Sequence, residues 1–504
     1  MSRVLPEHPD LEHLRGQAKA LLQMLRDGQS EAAERFRSVG VDAVARLSEA
    51  QHVVAREYGF PSWAKLKAHV ESRVAEPAQA LILAVKAHDA DRVRAIVARH
   101  PSIRTIINRG TDELGFGATP LIAAVQQSDR AMIDALLAAG ADIAVKSDWW
   151  AGGFSVLETA SEETVPFLLE RGAVLEPCSA AKFGTIDRLA GMVATDPTAV
   201  HARGGDGKTP LHWAKDVATA RFLVNHGADV NARDVDHEST PIQYMARDRQ
   251  EIVRYLIAQG AEADIFAAAA IGDLPLATRI LDANPDAVEM VVNGTSFPMA
   301  NPRAGGIIYI WTLGNGKTPH TVAQEFEHPD VYDLLMSRSP DQVKLAQACL
   351  LGDEKLFERF LADHPDITAQ LTPAMRQQIV GAAVNNNTSA VRLMLRAGWP
   401  ADVRGPHGGT PLHWSAWHGN LAMMREILRH HPPLDLRDNA HNIPPLGWAL
   451  HGSLHGWHAK DGDFGGVVTA LIEAGAKTDN PPPLPTMEGS DAALAAYRRG
   501  AGRR

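Results

Sequence analysis

TPLHWSAWHGN at 410–420 and TPLHWAKDV at 209–217 decide how this chain is read. In each, a threonine hydroxyl stands where it can cap the first orphan N–H groups of a helix, and proline follows at the first helical position, where it has no N–H to lose. The leucine and the next small residue then face a neighbouring helix. Variants of the tetrapeptide begin at Thr119, Thr240 and Thr318. Each predicts the start of a short helix with one apolar side.

A second motif closes the units. It reads LLAAGAD (136–142), LLERGAV (168–174), LVNHGAD (223–229), LIAQGAE (256–262) and LIEAGAK (471–477), and its glycine supplies the positive φ that ends a helix. The step from Gly140 to Gly172 is 32 residues, and that from Gly227 to Gly260 is 33. Segments without TPLH, at 81–101, 178–197, 265–285 and 344–365, keep one template of small-apolar helix, tight turn, apolar helix and proline. No such pair can bury its apolar face alone, so neighbours must stack. The expectation is an all-α solenoid of about twelve helix-pair units over 77–480, shortened at 154–172. Residues 1–76 lack the repeat and predict an amphipathic helical bundle, with Gly28 and Gly59 as helix stops and Ser48 and Pro61 as starts. The run IIYIWTL (307–313) is rich in β-branched and aromatic residues, and predicts an enlarged β-hairpin finger within 292–317. Residues 101–117 read as an extended connection. PPPLP at 481–485 opens a C-terminal tail, 481–504.

On these motifs the chain resembles bacterial ankyrin-repeat proteins, and its first 76 residues resemble a leader module that precedes such arrays. The resemblance implies the ankyrin-repeat solenoid and a protein partner held in its concave groove. It also implies groove-facing positions, namely the two residues before each helix-linking glycine. Here these are Gln126 and Gln127, Lys182 and Phe183, Asp216 and Val217, Arg247 and Asp248, Glu325 and Phe326, Trp417 and His418, and His451. The finger adds Arg303, Tyr309 and Trp311, and the turn tips add Trp149, Trp150, Asp234, Asp236, His407, Asp438 and His441. Trp and Arg are the usual anchors of an interface. By contrast Trp213, Trp414 and Trp448 occupy a slot packed between units, and His212 and His413 belong to the TPLH hydrogen-bond network.

Composition narrows the function. A net charge of −10 argues against a nucleic-acid coat, which needs a basic surface. No apolar run reaches the roughly 18 residues a membrane helix needs. The N-terminal stretch lacks the apolar core of a secretory signal. Cys178 and Cys349 are the two cysteines, far apart, so a reducing cytoplasm is expected. Nine of the 22 histidines fall between His407 and His458. His451, His455 and His458 stand at i, i+4 and i+7, a spacing that would put three imidazoles on one helical face and could hold zinc. Gly452 and Gly456 weaken that helix, and a plain polar loop accounts for the same residues. No other cofactor is implied. Gly207-Lys208-Thr209 and Gly316-Lys317-Thr318 imitate the end of a P-loop but lack its earlier glycine. HExxH, GxSxG and CxxC are absent.

Two readings follow. The first is a cytoplasmic binding scaffold for a protein. The second is an enzyme, or a small-molecule or metal-binding protein, with its site between the finger (303–313) and the His/Trp-rich repeats (407–463). Self-association through the leader helices is a further use of the N-terminal module.

Overall fold

The computed structural model describes residues 5, 11–40, 46–365, 367–478 and 489–501. PPPLP and the last arginines, Arg503 and Arg504, lie outside them. The chain separates into two compact units: residues 1–215 with 225–228, and residues 216–224 with 229–504.

The first unit opens with α1 (Leu11–Arg26), α2 (Ser30–Ser38) and α3 (Leu47–Glu57), followed by a long α4 (Trp63–Lys86). Leu14, Ala18, Leu21, Phe36, Val53, Val54 and Leu66 form the core of this bundle, and Arg35 pairs with Glu57 at 2.7 Å. The expected boundary at 76/77 falls inside α4, which carries Pro77 within it and runs on to pack against α5 (Ala90–Arg99). Helix pairs then stack: α6 (Pro120–Gln126) with α7 (Arg130–Ala138), the short α8 (Val156–Thr159) and α9 (Val165–Glu170), α10 (Pro177–Lys182) with α11 (Ile186–Thr195), and α12 (Pro210–Trp213). The connection 101–117 contains two 3₁₀ turns and one isolated bridge, Thr111 to Ala118.

The second unit holds α13 (Val217–Asn225), α14 (Pro241–Met245), α15 (Gln250–Ala258), α16 (Ile265–Ile271), α17 (Leu274–Ala283), α18 (Pro319–Glu325) and α19 (Pro329–Arg338). It continues with α20 (Asp341–Leu351), α21 (Glu354–Asp363), α22 (Pro373–Arg376), α23 (Gln378–Val384) and α24 (Thr388–Ala397). The last five helices are α25 (Pro411–Trp417), α26 (Leu421–Leu428), α27 (Pro445–His455), α28 (Phe464–Ala474) and α29 (Asp491–Ala501).

The repeat motifs act as their chemistry predicts. Thr410 donates from both its N–H and its hydroxyl to His413 Nδ1, at 3.1 and 2.8 Å, and Thr209 does the same to His212 at 3.1 and 2.9 Å. Asp129, Asp273, Asp353 and Asn420 cap the second helices of their pairs. The closing Gly140, Gly172, Gly227 and Gly260 all have φ between 92° and 101°.

The expected β-hairpin finger is corrected. Among the described residues there is no strand of any length, and 307–313 forms a turn followed by one wide helical turn at Ile310–Gly314. The reason lies in where its backbone donors and side chains go. The N–H groups of Ile310, Trp311 and Thr312 bond back to Ile307 and Ile308 at 2.9–3.0 Å, so nothing is left for a ladder. Ile307, Ile308, Tyr309 and Leu313 are all buried, whereas a strand would send alternate residues to opposite faces. The loop folds back on the turn 234–239: Gly305 N–H bonds Asp236 O at 2.8 Å, and Ile308 N–H bonds Ser239 Oγ at 3.1 Å. The Glu238 carboxylate accepts the N–H groups of Ala300 and Asn301 at 2.8 and 2.7 Å.

Candidate functional site

Among the described residues, aromatic side chains on adjoining repeats gather in the second unit on α25, α27 and the turn after α27. Trp414 and Trp448 are buried and meet edge to face with centroids 5.1 Å apart; Trp448 donates its indole N–H to Asp438 at 2.8 Å. Both are packing residues, as their slot in the repeat implies. Trp417, half-buried, lies 6.1 Å from Trp448 and 6.0 Å from the His451 ring. Trp457 completes the set. Its ring stacks on Trp414 at 6.0 Å and stands perpendicular to Trp417 at 6.3 Å, yet it is 66% exposed. The indole N–H groups of Trp414 and Trp417 are buried and meet no acceptor among the described residues.

The histidines around this cluster divide into two kinds. His418, expected to face the groove, is buried: its Nε2 bonds Val384 O at 2.9 Å, and burial lowers its pKa. It ties one repeat to the next. His451 and His455 are exposed at the end of α27, their rings 4.5 Å apart. His458 lies past the end of that helix, facing His418 at 5.3 Å, with its Nδ1 3.5 Å from Asp461. The i, i+4, i+7 face therefore does not form. Gly456 breaks the helix where a Cβ would stand only 2.5 Å from the Gly452 carbonyl oxygen. Among the described residues no group of three or more His, Cys, Asp or Glu side chains is placed to hold a metal, which corrects the zinc expectation for His451, His455 and His458.

The other expected groove residues have varied fates. Gln126 and Gln127 are exposed. Arg247 is tied to Glu325 at 2.7 and 2.8 Å, with its guanidinium 5.8 Å from the Phe326 ring, and Lys317 holds the other oxygen of Glu325 at 2.7 Å. Asp248 lies 3.5 Å from Arg249. Arg303 and Trp311 are exposed on the folded-back loop, Trp311 at 70%. Tyr309 is not a surface residue. It is fully buried against Phe266 and Phe297, with its hydroxyl donating to Asp264 at 3.0 Å. Burial raises the pKa of that phenol well above the ordinary value, and also raises that of the Asp264 carboxyl.

In the first unit, Trp149 and Trp150 are half-buried, and Trp149 packs edge-on to the exposed Phe116 at 5.1 Å. Lys182 reaches inward: its ammonium donates to the carbonyls of Glu158 and Ala160 at 2.7 and 2.8 Å, at the end of the shortened α8. Desolvation lowers its pKa to about 8. Phe183, half-buried, sits beside it. Trp213 is less covered than Trp414 and Trp448 in the same slot. It is half-buried, its indole N–H enclosed, with Lys208 over its ring at 4.0 Å, while Lys208 pairs with Asp206 at 3.1 Å. Cys178 and Cys349 are buried, and desolvation raises both thiols, Cys349 to about 12, so neither is a nucleophile at neutral pH.

Two things were missed in the sequence. One is Trp457, whose only signal is an indole in an otherwise polar turn. The other is a pocket of about 370 Å³ beside the folded-back loop, lined by residues of the turns at 233–243 and 262–264 and of the segment 296–307.

Comparison with known proteins agrees with the helix-pair architecture. The ankyrin repeat pattern matches residues 116–148 and 407–439, and a pattern of ankyrin repeats in three copies matches 178–267. The chain thus carries ankyrin repeats in both units. It is 36% identical over 65 residues to the palmitoyltransferase akr1 of Schizosaccharomyces pombe, a match that covers 12% of this chain and 10% of that protein. None of the helices among the described residues is long and apolar enough to cross a membrane.

Proposed function

We propose that the protein is a cytoplasmic binding scaffold whose ankyrin repeats hold a protein partner in their groove, with the Trp417–Trp457 surface of the C-terminal repeats as its anchor. One observation carries this reading: an indole two-thirds open to solvent is nevertheless held by two other indoles. A fixed, exposed aromatic ring loses little freedom when it is covered, so most of its burial energy goes into affinity. His451 and His455 supply polar partners at the rim. Anchors of this kind cost about 2 kcal/mol or more when truncated, roughly thirtyfold in affinity.

The test is affinity capture with the full chain as bait, comparing the native sequence with Trp457→Ala and Trp417→Ala. Trp457→Ala should lose the specific partner while its melting temperature stays within about 2 °C of the native value, because a largely exposed ring contributes little to folding. Retention of every captured protein by both variants would reject this surface as the anchor.

A further inference from the structure

The two turns beside the tryptophan surface carry cations that have no ion-pair partner. Residues 404–409 lead into α25, and residues 437–443 lead into α27. The turns are locked together: the N–H groups of Asn439 and Ala440 bond the His407 carbonyl at 2.9 and 3.2 Å. They also border the indoles, since the His407 ring lies 6.5 Å from that of Trp414 and Asp438 accepts the Trp448 N–H at 2.8 Å. Each turn holds one half-buried arginine. Arg404 donates from Nη1 to the carbonyls of Gly408 and Arg437, both at 2.9 Å, and to Asn439 Oδ1 at 3.1 Å. Arg437 donates from Nη1 to the Asn442 carbonyl at 2.5 Å. Neither guanidinium pairs with a carboxylate among the described residues, and the Nε and Nη2 groups of both are unbonded there without being enclosed. The buried Asp438 carboxylate is turned instead to Trp448 and to the N–H groups of His441 and Ile443. Three residues past Trp457, the exposed Lys460 also has no ion pair among the described residues, and Asp461 beside it faces His458. Three cations thus stand around the indoles against Asp438 and Asp461, in a chain whose net charge is −10.

Resting on the tryptophan surface as the anchor, we infer that the protein segment seated there is acidic, with carboxylates set against Arg404 and Arg437 and an apolar side chain on Trp457. The planar fork of a guanidinium matches a carboxylate, and a half-buried fork gains more from one than a fully solvated ammonium does. One nitrogen of each arginine is already fixed by carbonyls while its other donors stay available, so little freedom is lost when a carboxylate arrives. The charges also select against the wrong partner, because a basic segment would meet three like charges. A nucleic acid would need a longer run of cations than these three.

The experiment titrates the full chain by calorimetry with blocked peptides in which a central leucine pair is flanked on both sides by glutamates, by glutamines or by lysines. The glutamate peptide should saturate the protein, the glutamine peptide should bind at least about tenfold more weakly, and the lysine peptide should not bind measurably. Raising the salt from about 0.05 M to about 0.3 M should weaken the glutamate peptide severalfold. Arg437→Gln should weaken it by about tenfold, and Lys460→Glu, at an exposed position, should weaken it with unchanged far-UV circular dichroism. Equal affinity for the glutamate and glutamine peptides, no saturation by the glutamate peptide up to about 5 mM, or tighter binding of a single-stranded oligonucleotide than of that peptide overturns the inference. Affinity capture separates the two readings. If Trp457→Ala loses the partner while Arg437→Gln and Lys460→Glu both keep it, the acidic segment is rejected and the anchor stands. If Arg437→Gln and Lys460→Glu weaken the glutamate peptide while Trp457→Ala changes neither peptide nor partner, the acidic segment stands and the anchor is rejected.

Discussion

Replacing Tyr309 with phenylalanine removes one oxygen and leaves the ring where it is, wedged 5.7 Å from Phe266 and 5.9 Å from Phe297. No cavity of consequence opens, so the cost is the hydrogen bond. That bond runs to Asp264 Oδ1, which also accepts the Ala267 N–H at 2.9 Å and so caps α16, while Gln243 holds Oδ2 at 3.0 Å. A hydrogen bond to a buried carboxylate is worth about 1.5–3 kcal/mol, and that is the expected loss at pH 7. The pH dependence makes the prediction specific. Burial raises the folded-state pKa of Asp264, so the group favours the folded chain least when ionised, and stability falls as pH rises from the ordinary aspartate value through the raised one. Tyr309→Phe takes a donor from the anion and raises that pKa further. Its penalty should therefore be full at pH 7 and shrink as the carboxyl is protonated. Hydrogen exchange of the α16 amides at pH 7, with denaturant melts at pH 7 and pH 4.5, measures both quantities. A loss below about 0.5 kcal/mol, or one equal at the two pH values, would refute the argument.

Two further outcomes are expected. Burial holds His320 and His413 neutral, each with its pKa lowered from 6.5 to about 4, so the stability they contribute is complete above pH 6.5 and is lost as pH falls toward 4, on the order of 3 kcal/mol for each; a melting temperature flat between pH 7 and pH 4.5 contradicts this. In the first unit, a Cβ on Gly205 would lie 2.1 Å from the Phe154 ring, so Gly205→Ala should destabilise that unit by about 2–3 kcal/mol, read as faster hydrogen exchange in α8 and α10.

How far the sequence carried the reading follows from the physics of each motif. A threonine cap, an N1 proline and a closing glycine act within a few residues, so α6, α14, α18 and α25 and the ends of α7, α9, α15 and α28 could be placed from the letters alone. The packed roles of Trp414 and Trp448 followed from register in the same way. What failed depended on contacts distant in sequence. IIYIWTL has the composition of a strand, but the turn at 234–239, some seventy residues earlier, takes its backbone and side chains inward. The three-histidine face assumed that α27 continues past Gly456, whereas the chain must leave there to let α25 pass close by. Lys182 and His418 were placed in the groove by analogy, and each instead satisfies carbonyls of a neighbouring repeat. Trp457 sits outside any repeat position, so no register could point to it.

The uninterrupted course of α4 gives the N-terminal bundle a second duty. A stack of repeats is only as sound as its ends, because the outermost pair has an apolar side with no following repeat to cover it. Here the helix that closes the bundle around Leu66 is the same one that places Leu81, Ala84 and Val85 against Val93 and Val97. The bundle is thus tied to the first repeat by one continuous helix, and unfolding it would loosen the adjoining repeats from that side inward. A chain begun at Pro77 would keep every repeat motif and still lose protection first in α5 and α6, the helices farthest in sequence from the Trp417–Trp457 surface.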